Sequence, residues 1–126
     1  MPSLAPSIVS SGDGIIHLYA SFSFDQGKEV SSGADILWTD APGRYTIWQV
    51  DGTLLANIGV VDFDKIDLAS LRKLNFSKYR VIDGANGFAV GDVFAVATTH
   101  GNRAKVLIVS ISDNIRVRWV TYKCLC

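Results

Sequence analysis

Cysteine is scarce in this chain of 126 residues: it has two, Cys124 and Cys126, one residue apart. A bridge between them would close a tiny loop and constrain little, so no disulfide framework exists and two free thiols are expected. An excess of one charge sign is also missing, since Lys plus Arg and Asp plus Glu balance at 12 each. A dedicated nucleic-acid binder would carry a basic stripe, so that class is set aside. The same balance leaves no long-range repulsion between copies of the chain. No apolar run approaches the roughly 20 residues that span a bilayer. Residues Met1 to Ser11 have neither the basic start nor the apolar stretch of a signal peptide. A cytoplasmic setting is therefore the default, although a module cut from a secreted protein would look the same.

What is present suits one globular domain over residues 1–126. The chain is 48% apolar and 19% charged, enough to build a core without a metal or disulfide staple. Hydrophobic alternation with period two dominates. From Ile16 to Phe24, the residues Ile16, Leu18, Ala20, Phe22 and Phe24 share one face, which predicts a long half-buried strand entered after the turn Ser11-Gly12-Asp13-Gly14. Further strands are expected at Asp35–Thr39 and Arg44–Val50, joined by Ala41-Pro42-Gly43. Asp51-Gly52 is the strongest hairpin signal and predicts that Arg44–Val50 pairs with the strand that follows.

One stretch breaks the pattern. Leu68, Leu71 and Leu74 recur every third residue behind Asp67, with Arg72 and Lys73 near the end. That predicts a two-turn helix over 67–74, capped by an acid and closed by bases. After the loop Asp83–Gly87, three antiparallel strands are expected at Asp92–Thr99, Arg103–Ile111 and Ile115–Tyr122. A two-residue turn at Gly101-Asn102 would set Ala97 opposite Val106, and one near Asp113 would set Ile108 opposite Trp119. Both faces of this meander are apolar at their centres, which an antiparallel sheet with one wet side would not show. Both faces should therefore be buried. The fold expected is mainly β, bordering on α+β. It is an antiparallel barrel or two-sheet sandwich of about eight strands with one short helix.

Chemistry-bearing motifs are few. No Gly-x-Ser-x-Gly elbow, no phosphate-binding glycine loop and no His or Cys at metal-ligand spacing occurs. His100 reads as a turn residue, and His17 lies beside Tyr19 and Ser21 on a strand face. Asp62, Asp64 and Asp67 form an acidic segment that could meet a cation, but an EF-hand's remaining ligands are missing and Asp67 has a competing use as helix cap. Trp38, Tyr45 and Trp48 cluster on two neighbouring strands and could stack on a sugar ring, although core or interface packing uses the same residues. Arg116, Arg118 and Tyr122 rim one face of the meander, a composition suited to an interface.

The stretch Val90 to Val96, through Ala104-Lys105-Val106, to Arg118–Tyr122 resembles part of an SH3-like barrel of the Tudor type, which often opens a strand with Gly-Asp and carries Ala-x-Val in the next. The aromatic cage of that family has no counterpart that can be mapped, so its activity is not carried over. These features favour a non-enzymatic binding or interaction module that assembles as a homo-oligomer, with a dimer as the first expectation. The alternatives are a carbohydrate- or small-ligand-binding domain using Trp38, Tyr45 and Trp48, and an enzyme whose site gathers dispersed residues such as His17, Asp62 and Asp64. No cofactor is implied, and neither nucleic acid nor a membrane is expected as partner.

Overall fold

The computed structural model describes residues 7–41, 44–50, 52–76, 82–83 and 89–124. Among the described residues ten strands form in chain order: β1 (Ile8–Ile16), β2 (Ser21–Ser23), β3 (Lys28–Glu29), β4 (Ile36–Ala41), β5 (Arg44–Gln49), β6 (Leu54–Val60), β7 (Ile82–Asp83), β8 (Asp92–Ala97), β9 (Arg103–Ser110) and β10 (Ile115–Tyr122). Two antiparallel five-stranded sheets result, ordered β1-β10-β9-β8-β6 (sheet A) and β3-β2-β4-β5-β7 (sheet B). The fold is thus a β-sandwich. Among the described residues sheet A keeps open edges at β1 and β6 and does not close into a barrel. No helix among the described residues is long and apolar enough to cross a membrane.

Between the sheets lies the main core. Phe22, Phe24, Ile36, Trp38 and Ile47 from sheet B meet Leu55, Phe94, Val106, Ile108, Val117 and Trp119 from sheet A. Burying each such side chain contributes roughly 1.5–3 kcal/mol before conformational entropy is subtracted. The outer face of sheet A has its own cover. Helix α1 (Leu68–Arg72) is capped by the Asp67 carboxylate, which accepts from Ser70 N at 2.8 Å. It drives Leu71 onto Ala56 and Ala95, with Ile66, Leu74, Phe76 and Tyr122 around them. Every residue of β8 is buried as a result, one face against sheet B and the other beneath α1.

Four local expectations need correction. Ile16–Phe24 is not one strand: the chain turns at Leu18-Tyr19, with Ala20 N bonded to His17 O and Tyr19 at φ +64°, and passes from sheet A to sheet B. Ile16, Phe22 and Phe24 still point inward, because both halves face the same core. Ser11-Gly12-Asp13-Gly14 is no turn but the middle of β1, and its glycines are there for Trp119. A Cβ at Gly12 would stand 3.0 Å from that indole. Asp51 lies outside the described residues, and Gly52 follows it at φ +82°, where the chain crosses between sheets. β5 pairs with β4 and β7, and β6 pairs with β8, so no hairpin joins β5 to β6.

The fourth correction concerns the meander's register. Thr98 N bonds Asn102 O, leaving Thr99, His100 and the left-handed Gly101 as a three-residue turn. Ala97 therefore faces Arg103 and Phe94 faces Val106. This is an odd shift from a two-residue turn, so every β8 side chain changes face relative to β9. At the second turn Val117, not Trp119, faces Ile108. Phe94, Val96, Ile108 and Trp119 are buried as expected, whereas Leu107 and Val109 are only half-buried on the outer face. The expected loop at Asp83–Gly87 lies largely outside the described residues. Beyond these four, the expectation of two free thiols also falls, because Cys124 is disulfide-bonded.

One glycine locks the two sheets at an end of the sandwich. Gly27, after β2, sits at φ +69°, and a Cβ there would lie 2.5 Å from Ser10 Oγ and 3.1 Å from the Trp119 ring. Ser10 Oγ is also the acceptor of the Trp119 indole N–H at 3.0 Å. Gly27→Ala should cost about 2–4 kcal/mol, combining left-handed strain with a forced shift of Ser10. Gly33→Ala is the control, since Gly33 has φ +72° and nothing within 4 Å. It should lose only the backbone part, about 1–2 kcal/mol. Urea midpoints of the two variants decide it, and equal losses would mean that the Gly27 contact is soft.

Candidate functional site

Sheet geometry disperses the aromatic cluster. Trp38 points into the core, fully buried, and its indole N–H donates to Asp113 O at 2.8 Å. Tyr45 stacks on it at 5.2 Å between ring centroids and donates its phenol proton to Asp113 Oδ1 at 2.6 Å. That hydrogen bond, with lesser help from desolvation, raises the Tyr45 pKa. Trp48 stands three residues on, on the opposite face of sheet B, 44% exposed, its indole N–H donating to Thr39 Oγ1 at 3.0 Å. The three rings therefore form no common platform. A fourth aromatic that sequence reasoning passed over, Tyr19, is 64% exposed and donates to Asp40 O at 3.3 Å. Trp48 and Tyr19 are thus tied to successive residues of β4.

The aspartates have structural work. Asp62 accepts from Asp64 N at 3.1 Å and caps the 3₁₀ turn Phe63–Lys65. Asp67 accepts from both Ser70 N and Ser70 Oγ, and the backbone bond foremost holds its carboxyl below the usual range. All three carboxylates act on one cation, Lys105 of β9. This lysine lies buried across the outer face of sheet A, donates Nζ to Phe63 O at 2.7 Å and sits 4.4 Å from the Phe63 ring centre. Burial pushes its pKa down, and the aspartates oppose that shift. The acidic segment thus pins the 3₁₀ turn over a buried ammonium group. Among the described residues, no three His, Cys, Asp or Glu side chains are arranged to hold a metal ion.

Arg116, Arg118 and Tyr122 all project from the outer face of β10, yet they part company. Arg116 Nε donates to Asp13 Oδ1 at 2.8 Å, and an Arg118 guanidinium nitrogen lies 4.0 Å from Asp13 Oδ2. Both arginines are exposed, so such pairing contributes only about 0–1 kcal/mol and leaves them free to serve another partner. Tyr122 instead tucks into the cluster under α1, 6.0 Å from Lys105 Nζ, where burial raises its pKa. Beside the arginines runs β1, the terminal strand of sheet A. Ile8, Val9 and Ile15 on it are 57%, 41% and 52% exposed. Its outward hydrogen-bonding edge pairs with no other strand among the described residues.

A polar cluster invisible in the sequence closes the Gly27 end of the sandwich. Asp25 Oδ1 accepts from Thr98 Oγ1 at 3.0 Å and Asn102 Nδ2 at 2.8 Å, while Oδ2 lies 2.9 Å from His100 Nδ1. Fully buried Asp35 accepts from Phe24 N at 2.7 Å and Thr99 N at 2.9 Å. An aspartate holding an imidazole is the first half of a general-base arrangement. His100 is 63% exposed, so its contact with Asp25 lies at the solvent-facing edge of the cluster. His17 pairs with Glu29 of β3 at 2.8 Å, whereas Asp62 and Asp64 attend Lys105 on the outer face of sheet A. The dispersed trio is not one site. No family model, no curated protein and no solved structure matches this chain.

Proposed function

We propose that this chain is a non-enzymatic interaction module that assembles with copies of itself, a homodimer being the simplest closed form. One observation carries the reading: β1 is a nine-residue edge strand, bulged only between Ile8 and Ser10, whose outward edge pairs with no other strand among the described residues. Edge strands in monomers are blunted by Lys, Pro or a covering loop, because a bare row of N–H and C=O groups recruits other chains. β1 has neither residue, and its single charge, Asp13, is already engaged by Arg116. The exposed isoleucines and valine beside it add apolar area that gains from being covered. Light scattering across micromolar concentrations tests the reading. A mass rising toward twice 13.7 kDa supports it, and 13.7 kDa throughout overturns it.

A second reading has its own observation. Trp48 and Tyr19 are both exposed and hydrogen-bond to successive residues of β4, the Thr39 hydroxyl and the Asp40 carbonyl, a composition that suits stacking on a sugar or small ring. Sugar-dependent tryptophan fluorescence that vanishes in Trp48→Ala would favour this ligand-binding role.

A further inference from the structure

We infer that two copies join through antiparallel pairing of their β1 strands about a two-fold axis at Gly12, fusing the two A sheets into one continuous sheet. The inference rests on the self-association proposed above and adds its partner surface and register. The strand reads Ile8-Val9-Ser10-Ser11-Gly12-Asp13-Gly14-Ile15-Ile16, which is a palindrome in polarity: two apolar residues, two polar, glycine, two polar or small, two apolar. Antiparallel pairing of a strand with its own copy reverses it against itself. A sequence symmetric about its centre is therefore complementary to itself.

Geometry narrows the register. From Ser11 to Ile15 the odd positions face outward, as Asp13 opposite Arg118 and Ile15 opposite Arg116 show, and the even ones face the Trp119 side. An axis perpendicular to the sheet keeps each face on its own side, so odd residues must meet odd residues. An axis at Ser11 would set Val9 against the second copy's Asp13, apolar against charge. An axis at Asp13 would set the two Asp13 side chains directly opposite each other, a like-charge pair that destabilises a sheet. An axis at Gly12 sets Val9 against Ile15 of the second copy, and Ser11 against its Asp13. Apolar meets apolar, and a hydroxyl donor meets a carboxylate. Each contact occurs twice by symmetry.

The inner side needs no help at the axis. The Trp119 ring packs against the inner side of Gly12 and Gly14, within 3.0–3.7 Å of where a Cβ would stand. The bulge between Ile8 and Ser10 leaves Val9 without a partner on β10, one residue beyond the five from Ser10 to Gly14 that the axis bisects, and Val9 stays exposed there. Arg116 and Arg118 flank the junction on the outer face, Arg116 Nε 2.8 Å from Asp13 Oδ1 and an Arg118 nitrogen 4.0 Å from Oδ2.

Single-cysteine variants test the register. Val9→Cys and Ile15→Cys alter exposed side chains, and Cys124 is disulfide-bonded and offers no competing thiol. Mixed and oxidised, the two variants should form a covalent dimer, while neither variant alone should, because Val9 faces Ile15 and not itself. Ile15→Lys should weaken association about tenfold or more, since the variant dimer loses both Val9–Ile15 pairs and gains a cation on each edge. Cross-linking of either variant alone overturns this register. So does a stable dimer in which the mixture fails to cross-link and Ile15→Lys has no effect, although self-association itself would then stand. A wild-type mass of 13.7 kDa at every concentration overturns both.

Discussion

Trp38→Ala should destabilise the protein by about 3–5 kcal/mol, the usual cost of emptying a large aromatic site that cannot collapse. Trp38 is the largest of the fully buried side chains, and its ring lies between the sheets. Truncation removes the stacking surface beneath Tyr45 and deprives Asp113 O of its indole donor. Single domains hold only about 5–15 kcal/mol of net stability, so a loss of this size should bring unfolding near physiological temperature. Trp48→Ala is the matched comparison, the same residue type from the neighbouring strand but on the exposed face. It should cost less than about 1 kcal/mol. Urea unfolding followed by far-ultraviolet circular dichroism measures both. A small effect at Trp38 with a large one at Trp48 would mean that the faces of sheet B are reversed. The contrast also bears on ligand binding, because no ring can stack on Trp38 without opening the core.

The same alternation argument that placed Ile16, Phe22 and Phe24 inward failed to find the break at Tyr19. Period two reports which side chains face the core, and a chain that turns from one sheet to the other keeps facing that core. Pairing partners are fixed by turn lengths and by distant strands. Asp51-Gly52 marks a turn correctly, yet whether the next strand folds back or crosses over depends on what β6 and β8 offer each other. A single residue more or less at His100 decides which face of β8 is inside. Helix α1 was legible because its cap, Asp67 to Ser70, and its leucine spacing are local.

The candidate sites divide along the same line. Arg116 and Arg118 could be recognised as an exposed rim, since alternation alone turns them outward. Tyr122 could not be separated from them, because the cover that claims it comes from residues 66–76. The glycines of β1 resembled a turn until Trp119 was seen beneath them. Strand β1 was therefore missed as an edge. The Asp25, Asp35 and His100 cluster had no signal, because the bonds that tie Asp25 and Asp35 to residues 98–102 span 64 to 77 positions.

That cluster sets the second large effect. Asp35→Ala should cost about 3–5 kcal/mol, because it orphans the buried donor Phe24 N and the half-buried donor Thr99 N, each worth roughly 1–3 kcal/mol when left unsatisfied. Asp35→Asn keeps one acceptor oxygen and should lose about half as much. The pH dependence carries more information than the magnitude. Burial, opposed by the two backbone bonds, holds the Asp35 carboxyl above its ordinary value of 3.8. Between that value and the raised one, the folded state keeps a proton that the unfolded chain has released. Stability from this group is therefore fullest below 3.8 and is lost as pH rises through the folded value. Glu29 and Asp67, whose carboxyls are shifted down, change stability in the opposite sense, but they are common to wild type and variant and cancel in the difference. Asparagine does not titrate, so the advantage of wild type over Asp35→Asn should grow as pH falls toward 4 and shrink toward neutrality. Urea unfolding of both proteins at several pH values reads that difference directly. An advantage that grows with pH would mean that Phe24 N and Thr99 N hold the ionised carboxylate more strongly than burial expels it.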